Sequence, residues 1–242
     1  MTAASDTASS RPLIAVPAMS SGQVRGLRHS GSVVADAVLR SISAAGGEPV
    51  IVPPVIDSGL YSRVDGIVLP GGSDIDPKRY GQEPDESYAG TDLPSQDDAD
   101  AAAIAAAENL GIPALFICRG LQLWNVERGG TLFQHWPAGD VDHVGQIHPV
   151  SVEASSLLAQ ALDTSENVTV SSYHHQAIDE LGRGLRVTSR GTDGCVEAVE
   201  DDDHTILAVQ WHPEDRAESE PVDRALFEWI VTQAEEHRQK RS

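Results

Sequence analysis

Phe116-Ile117-Cys118-Arg119-Gly120-Leu121-Gln122-Leu123-Trp124-Asn125-Val126 is an apolar run that stops on a cysteine and turns, through glycine, into an amphipathic stretch. Read as strand, sharp turn and helix, it holds the Cys118 sulfur exposed above a sheet, where the N–H groups opening the helix favour thiolate over thiol. Such a nucleophile needs a base within hydrogen-bond reach and a third group to orient that base. Far downstream, Gln210-Trp211-His212-Pro213-Glu214 offers His212 and Glu214 for those roles. A lone cysteine ending an apolar run is more commonly packing. Here the polar pair Arg119 and Gln122, the flanking Gly120, and a His-Pro-Glu closing a separate apolar strand weigh together toward catalysis.

Outward from Cys118 the chain alternates strands and helices. Residues 13–16, 49–52, 66–69 and 114–117 read as short buried strands, and 66–69 is ended by Pro70-Gly71-Gly72. Residues 32–45 read as a helix with Val34, Val38 and Ile42 on one face and Gly46-Gly47 as its stop. Residues 97–110 read as an Ala-rich helix whose acidic N-terminal end suits the macrodipole. Strand–helix alternation implies right-handed crossovers and a parallel sheet covered on both faces, with sites beyond the carboxyl ends of the strands. Gly71-Gly72 and Cys118 fall there. The long polar loop 73–95 is expected to border the site.

The second half changes character. Residues 185–189, 195–200 and 205–210 read as strands joined by the hairpin-type turns Gly191-Thr192-Asp193-Gly194 and Asp201-Asp202-Asp203-His204, an antiparallel extension of the sheet. Residues 221–236 read as a closing helix with Leu226, Trp229 and Ile230 in the core. The expected fold class is α/β: a mostly parallel central sheet with helices on both faces and an antiparallel extension. Residues 11–242 are expected to form one domain behind a disordered tail, 1–10.

Composition narrows the function. Hydrophobic residues make up 40% of the 242 but aromatics only 5%, so the core must rest on Val, Ile, Leu and Ala. No apolar run reaches the ~18 residues that span a bilayer, and the Ser/Thr/Ala-rich N-terminus lacks the basic start of a secretory signal, so a cytoplasmic protein is expected. Cys118 and Cys195 are then expected to be reduced. With 17 Lys and Arg against 37 Asp and Glu, the net charge of −20 argues against nucleic acid and anionic membranes as partners. A homodimer is compatible with this composition.

On five motifs in order, the chain resembles the class I glutamine amidotransferase superfamily and, within it, the γ-glutamyl-γ-aminobutyrate hydrolase family. They are Leu69-Pro70-Gly71-Gly72-Ser73-Asp74-Ile75-Asp76-Pro77, Ile117-Cys118-Arg119-Gly120-Leu121-Gln122, Gly129-Gly130-Thr131-Leu132, Tyr173-His174-His175-Gln176-Ala177 and Val209-Gln210-Trp211-His212-Pro213-Glu214, spanning 12–214. The resemblance implies a flavodoxin-like fold and a Cys118-His212-Glu214 triad. Thiolate attack on a γ-carboxamide creates an oxyanion, whose stabilisation is worth ~2.7–4 kcal/mol per donor. Backbone N–H groups of Gly72 and Arg119 suit that role. The resemblance also places Gln122, Tyr173, His174 and His175 against the γ-glutamyl group, although Gln122 reads equally well as an exposed polar residue of its helix.

The resemblance implies no cofactor. No metal is expected either, since adjacent His174 and His175 would point oppositely and no Cys/His cluster completes a tetrahedral set. Asp74 and Asp76, before Pro77, suit turn hydrogen bonds. Two positions depart from the family pattern. Phe116 stands where a small residue is usual, two before the cysteine, and is expected to crowd the turn or reshape the pocket. Gln96 stands where Arg is usual, which is expected to alter recognition beyond the scissile bond. The activity implied is hydrolysis of a γ-glutamyl amide through a Cys118 thioester. The alternatives are a glutaminase subunit that passes ammonia to a separate synthetase and a non-catalytic binder.

Overall fold

The computed structural model describes residues 11–137 and 141–241. The tail expected at 1–10 lies outside them. In chain order the elements are β1 Leu13–Pro17, β2 Met19–Ser21, β3 Gly31–Val33, α1 Asp36–Ala44, β4 Glu48–Val52, β5 Gly66–Leu69, α2 Gln96–Leu110, β6 Ala114–Ile117 and α3 Arg119–Glu127. Then come β7 Leu132–Phe133, β8 Val144–Val150, α4 Leu157–Leu162, β9 Val168–Tyr173, β10 Ala177–Ile178, β11 Arg186–Arg190, β12 Val196–Glu200, β13 Ile206–Val209 and α5 Pro221–Arg241.

The central sheet has seven strands in the order β11-β12-β13-β6-β5-β1-β4. From β13 to β4 the neighbours run parallel. β12 and β11 continue antiparallel, as the hairpin turns imply. Successive strand residues face opposite sides. Ile14, Val16, Leu115 and Ile117 join Val38 and Ile42 of α1 and Leu226, Phe227 and Ile230 of α5 in one apolar layer. Ala15, Ile67, Leu69 and Phe116 join Ala103 and Ile104 of α2 and Leu121, Leu123 and Trp124 of α3 in the other. Continuous burial on both faces is why these strands read as unbroken apolar runs.

Phe116 corrects one expectation. Its ring is fully buried and meets Trp124 edge-on at 5.6 Å and 77°, in the layer under α3 and away from the pocket, so it does not crowd the chemistry. Residues 31–33 correct another. Instead of opening the helix, they pair with Met19–Ser21 as a short hairpin, and α1 starts only at Asp36. Val33 and Val34 suit an extended, half-buried surface, and Asp36 suits a first helical turn. The ribbon of β8 on β9 stands where the sequence pattern shows no strand: β8 is largely exposed and contains Pro149, so it carries no apolar run.

Both edges of the sheet are managed. β4 is five residues long with Glu48 and Pro49 at its start. The outer edge of β11 is covered by the strand end and loop after β8, through Ser151 N–H to Arg190 C=O at 2.8 Å and Glu153 N–H to Thr188 C=O at 2.9 Å.

The site lies where β5, β6 and β13 end side by side, Leu69 beside Phe116 and Ile117 beside Val209. α3 starts so close to β5 that a Cβ on Gly120 would stand 2.8 Å from the Leu69 carbonyl oxygen. An alanine there gains ~1 kcal/mol of helix propensity, but it meets a backbone atom that cannot rotate aside, and overpacking of this kind costs ~1–3 kcal/mol. Gly120→Ala is therefore expected to lower the free energy of chemical denaturation. An unchanged midpoint and slope would show that α3 is not seated on this contact.

Candidate active site

At the end of β6 the backbone turns sharply: Cys118 sits at φ +50°, ψ −100°. Such a conformation costs a non-glycine residue ~1–3 kcal/mol and persists only where its surroundings impose it. Two backbone bonds do so, from Cys118 N–H to Val209 C=O at 2.7 Å and from Gln122 N–H to Cys118 C=O at 3.1 Å. Arg119 adds a side-chain anchor. Although next to the nucleophile it is 1% exposed, and its guanidinium reaches Asp97 Oδ1 at 2.5 Å and Asp100 Oδ2 at 3.2 Å. One cation thus serves two carboxylates. Desolvation raises Asp100 to about 6, against the opposing pull of Arg119 and Gln96.

Gln96 belongs to this buried network. Its Nε2 donates to Ala18 C=O at 3.2 Å and to Asp100 Oδ1 at 3.1 Å, and its Oε1 accepts from Ser20 N–H at 3.0 Å. Being wholly buried, it ties β2 to α2 and does not face the recognition surface that its departure from the family pattern suggested.

His212 follows β13 and is fixed at its backbone by Ser171 C=O, 2.8 Å from its N–H. Its Nδ1 meets Glu214 Oε1 at 2.8 Å. A proton on Nδ1 in that bond leaves Nε2 as the group that serves the sulfur. Burial alone would favour neutral imidazole, but the negative charge of Cys118 and then Glu214 outweigh it and hold His212 well above its ordinary value. The structure therefore favours an imidazolium at His212, beside the Cys118 sulfur. Pro70-Gly71-Gly72 packs directly on this pair. A Cβ on Gly71 would stand 2.6 Å from His212 Cε1, and one on Gly72 would stand 2.8 Å from Met19 Sδ and Arg119 Cδ. Only a bare backbone fits, and it brings the Gly72 amide to the same pocket wall as Cys118 and the head of α3.

A cavity of about 280 Å³ opens over Cys118, with Gly72, Asp74, Gln122, Tyr173, His175 and Gln176 in its walls. Gln122 is buried, with Nε2 donating to Gln176 C=O at 3.0 Å and Gln210 Oε1 at 3.2 Å. Gln210 Nε2 in turn lies 3.5 Å from Cys118 Sγ. In the sequence Gln210 figures only as part of the Gln-Trp-His-Pro-Glu run; it lies with His212 just past the end of β13. Tyr173 stands at the rim, 66% exposed. His175 Nε2 meets Asp74 Oδ1 at 2.9 Å, and Asp74 Oδ2 accepts from Ala89 N–H at 2.8 Å. Asp76 Oδ1 accepts from Lys78 N–H at 3.0 Å, a turn bond of the kind its place before Pro77 suggests. His174 also touches this wall, but its ring is turned the other way, Nδ1 bonded to Gln176 C=O at 3.0 Å and Nε2 3.8 Å from the buried Glu197.

A second cavity, of about 630 Å³, lies on the far side of His212. Met19, Val33, Val34 and Ile147 line it, together with Glu214 and Asp215. Its walls include the β2–β3 hairpin and the β8–β9 ribbon, two of the elements not expected from sequence. The loop 73–95 reaches the smaller cavity only through Ser73 and Asp74, and is strapped to the hairpin by Asp92 Oδ2, which accepts from Gly22 N–H at 2.8 Å. Among the described residues, the group of side chains able to hold a metal lies beneath the pocket: His143, His174, Cys195 and Glu197. The sequence completes no such set because these residues come from three separate strand ends.

The Peptidase C26 family model matches residues 12–214. The glutamine amidotransferase-like protein YvdE of Lactococcus lactis is 40% identical over 195 residues, 75% of this chain and 81% of that protein. The γ-glutamyl-γ-aminobutyrate hydrolase PuuD of Escherichia coli is 34% identical over 229 residues, 86% of this chain and 89% of its own length. A solved structure from Thermoplasma acidophilum, described as a GMP synthase component, matches with a TM-score of 0.68 at 20% identity over 96% of this chain and 98% of that one, a likeness of fold alone.

The geometry of the base makes its substitutions unequal. If His212 moves the proton and Glu214 orients it, His212→Ala should be worse than Glu214→Gln by ~10²-fold in kcat. Gly71→Ala, which displaces the imidazole by the order of an ångström, should cost ~10²-fold. Near-parental turnover in His212→Ala would remove it from the chemistry. The buried acid below the turn makes stability depend on pH. Between about 4 and about 6 the folded chain holds a proton on Asp100 that the unfolded chain has released, so stability falls as pH rises through that window. Asp100→Asn lacks this loss, and should gain roughly 1–3 kcal/mol relative to the parent between pH 4 and pH 7. Parallel denaturation profiles for the two proteins would overturn it.

Proposed function

Because the chain belongs to the peptidase C26 family of class I glutamine amidotransferase-like enzymes, a family of cysteine hydrolases, we propose that it hydrolyses a γ-glutamyl amide to glutamate and a free amine. Cys118 Sγ attacks the γ-carbonyl carbon, and the oxyanion that forms is met by the amides of Gly72 and Arg119. His212 then gives its Nε2 proton to the leaving nitrogen as the C–N bond breaks, which leaves a thioester on Cys118. Water, deprotonated by the same nitrogen, attacks the thioester and releases glutamate and the thiolate.

The observation that carries this reading is a pair of cavities, one lined by Cys118 and the other by His212, that share Tyr173. The smaller takes the γ-glutamyl group, with Asp74 and His175 placed for its α-ammonium and α-carboxylate. The larger borders His212 and shares Tyr173 with the smaller, and we assign it to the leaving amine. Its apolar walls suit a methylene chain, and Glu214, Asp215 and the net charge of −20 favour an amine whose far end is cationic, as in a γ-glutamyl-polyamine. γ-Glutamyl-γ-aminobutyrate, the substrate in PuuD's name, would place a carboxylate there instead. Both cysteines are free, and no described helix is long and apolar enough to cross a membrane. This accords with a cytoplasmic enzyme of γ-glutamyl-amine breakdown.

A second reading, a glutaminase subunit docked on a synthetase, is favoured by the exposed Val144, Ile147 and Tyr173 around the site. Steady-state kinetics on the isolated chain separate the two. The hydrolase should turn over γ-glutamyl-putrescine and γ-glutamyl-γ-aminobutyrate without a partner. On glutamine, which leaves the larger cavity empty, kcat should fall as well as KM rise. Cys118→Ala should abolish turnover, and rapid quench should trap a γ-glutamyl adduct on Cys118 and not Cys195. No activity on any γ-glutamyl amide, with glutaminase activity appearing only when a synthetase is added, would overturn the hydrolase reading.

A further inference from the structure

Below the smaller cavity, three strand ends deliver four potential ligands to one point. His143 immediately precedes β8, His174 immediately follows β9, Cys195 immediately precedes β12 and Glu197 lies within it. All four are buried, and one donor atom from each can be chosen so that all lie within 4.8 Å of one another. We propose that these residues form a closed, four-coordinate zinc site that staples the β8–β9 ribbon to the central sheet.

The imidazoles carry the argument. His143 Nε2 meets Asp193 Oδ2 at 2.9 Å, and His174 Nδ1 meets Gln176 C=O at 3.0 Å. Facing an oxygen acceptor, each of those outer nitrogens holds the ring's proton, so in neutral rings the inner nitrogens are lone pairs. Those inner nitrogens, His143 Nδ1 and His174 Nε2, point at Glu197 Oε1, at 3.2 and 3.8 Å. Neither they nor either carboxylate oxygen of the fully buried Glu197 has a hydrogen-bond partner. Lone pairs converging on a buried carboxylate repel it unless a proton or a metal cation sits among them, and a metal cation engages both rings and the carboxylate at once. An imidazole held at its outer nitrogen by a carboxylate or backbone carbonyl is the outer-shell arrangement of metal-ligating histidines.

The donor set selects the ion. Two imidazole nitrogens, one thiolate and one carboxylate suit borderline-soft Zn²⁺ and fill its tetrahedron, so the site leaves no position for catalysis. The charges balance: Zn²⁺ with the Cys195 thiolate and the Glu197 carboxylate is neutral. Binding breaks the S–H bond of Cys195 and releases that proton to solvent as the zinc–sulfur bond forms. Asp193 supports two ligands, since its Oδ1 also accepts from Cys195 N–H at 3.2 Å. An access route exists, because a cavity of about 320 Å³ bordered by His135, Trp136 and Val141 reaches His143 and His174.

The test uses the full chain with Cys118→Ala, which leaves Cys195 as the remaining thiol, reduced and stripped by chelator. Titration with Co²⁺ should give one equivalent bound, tetrahedral visible absorption and a thiolate-to-cobalt band in the near ultraviolet. One equivalent of Zn²⁺ should displace it, release one proton per chain relative to the stripped protein and raise the thermal midpoint. Cys195→Ser should lose the near-ultraviolet band, and Asp193→Asn, which keeps every ligand, should weaken binding ~10–100-fold. Failure of a chain folded by circular dichroism to bind either ion stoichiometrically would overturn the proposal and leave a protonated His143 bridging two carboxylates. A thiolate band that survives Cys195→Ser, or six-coordinate binding without any such band, would overturn it equally.

Discussion

The ion pairs from Arg119 to Asp97 and Asp100 hold the catalytic turn in place. Cys118 occupies a backbone conformation that relaxes unless both flanks are fixed. β6 fixes one flank through its register with β13. The other is the first turn of α3, which Gly120 allows to press against β5 while the buried guanidinium grips the start of α2. Any change that frees Arg119 leaves two carboxylates uncompensated inside the protein. It also releases the turn that aims the sulfur. Rigidity at the nucleophile is thus drawn from electrostatics beneath the sheet surface, out of contact with substrate.

The parts legible in sequence are those where one local signal dominates. Residues 66–69 and 114–117 coincide with β5 and β6 because unbroken apolar runs end on glycine or cysteine at a turn, and α2 begins one residue before its expected start. That Cys118, His212 and Glu214 come together is legible because a thiol, an imidazole and a carboxylate announce a shared chemistry in their residue types. The missed elements depend on distant partners. β3 forms only because β2 lies opposite, β8 is polar and exposed and gains its strand character from β9, and α4 is six residues long. Phe116 and Gln96 are misplaced by sequence for a related reason: their neighbours along the chain belong to the site, but their side chains point into the core and into a buried polar network. His143, His174, Cys195 and Glu197 are separated along the chain and become a group only in three dimensions.

Much of the candidate site is tied to β9. Ser171 holds the backbone of the base, Tyr173 stands between the two cavities, and His174 closes onto Glu197, while the carbonyl of Glu197 accepts from Gln210 N–H at 2.8 Å. Gln210 then reaches both Gln122 and the nucleophile. Motion of this ribbon would therefore reach the base, the rim of the pocket and the sulfur together. That makes its anchoring to the sheet a matter of activity as much as of stability.

The management of the sheet edges has a consequence for life in a concentrated solution. A row of open backbone donors and acceptors recruits strands from other molecules. One end of this sheet offers a short strand whose second residue, Pro49, has no N–H to give, and the other is already covered by the chain's own residues 151–153. With like-charged surfaces repelling at a net −20, two copies that meet find no ready template for a continuous sheet. Pairing through the ends of the central sheet is thereby blocked, and contact between copies there falls to side chains.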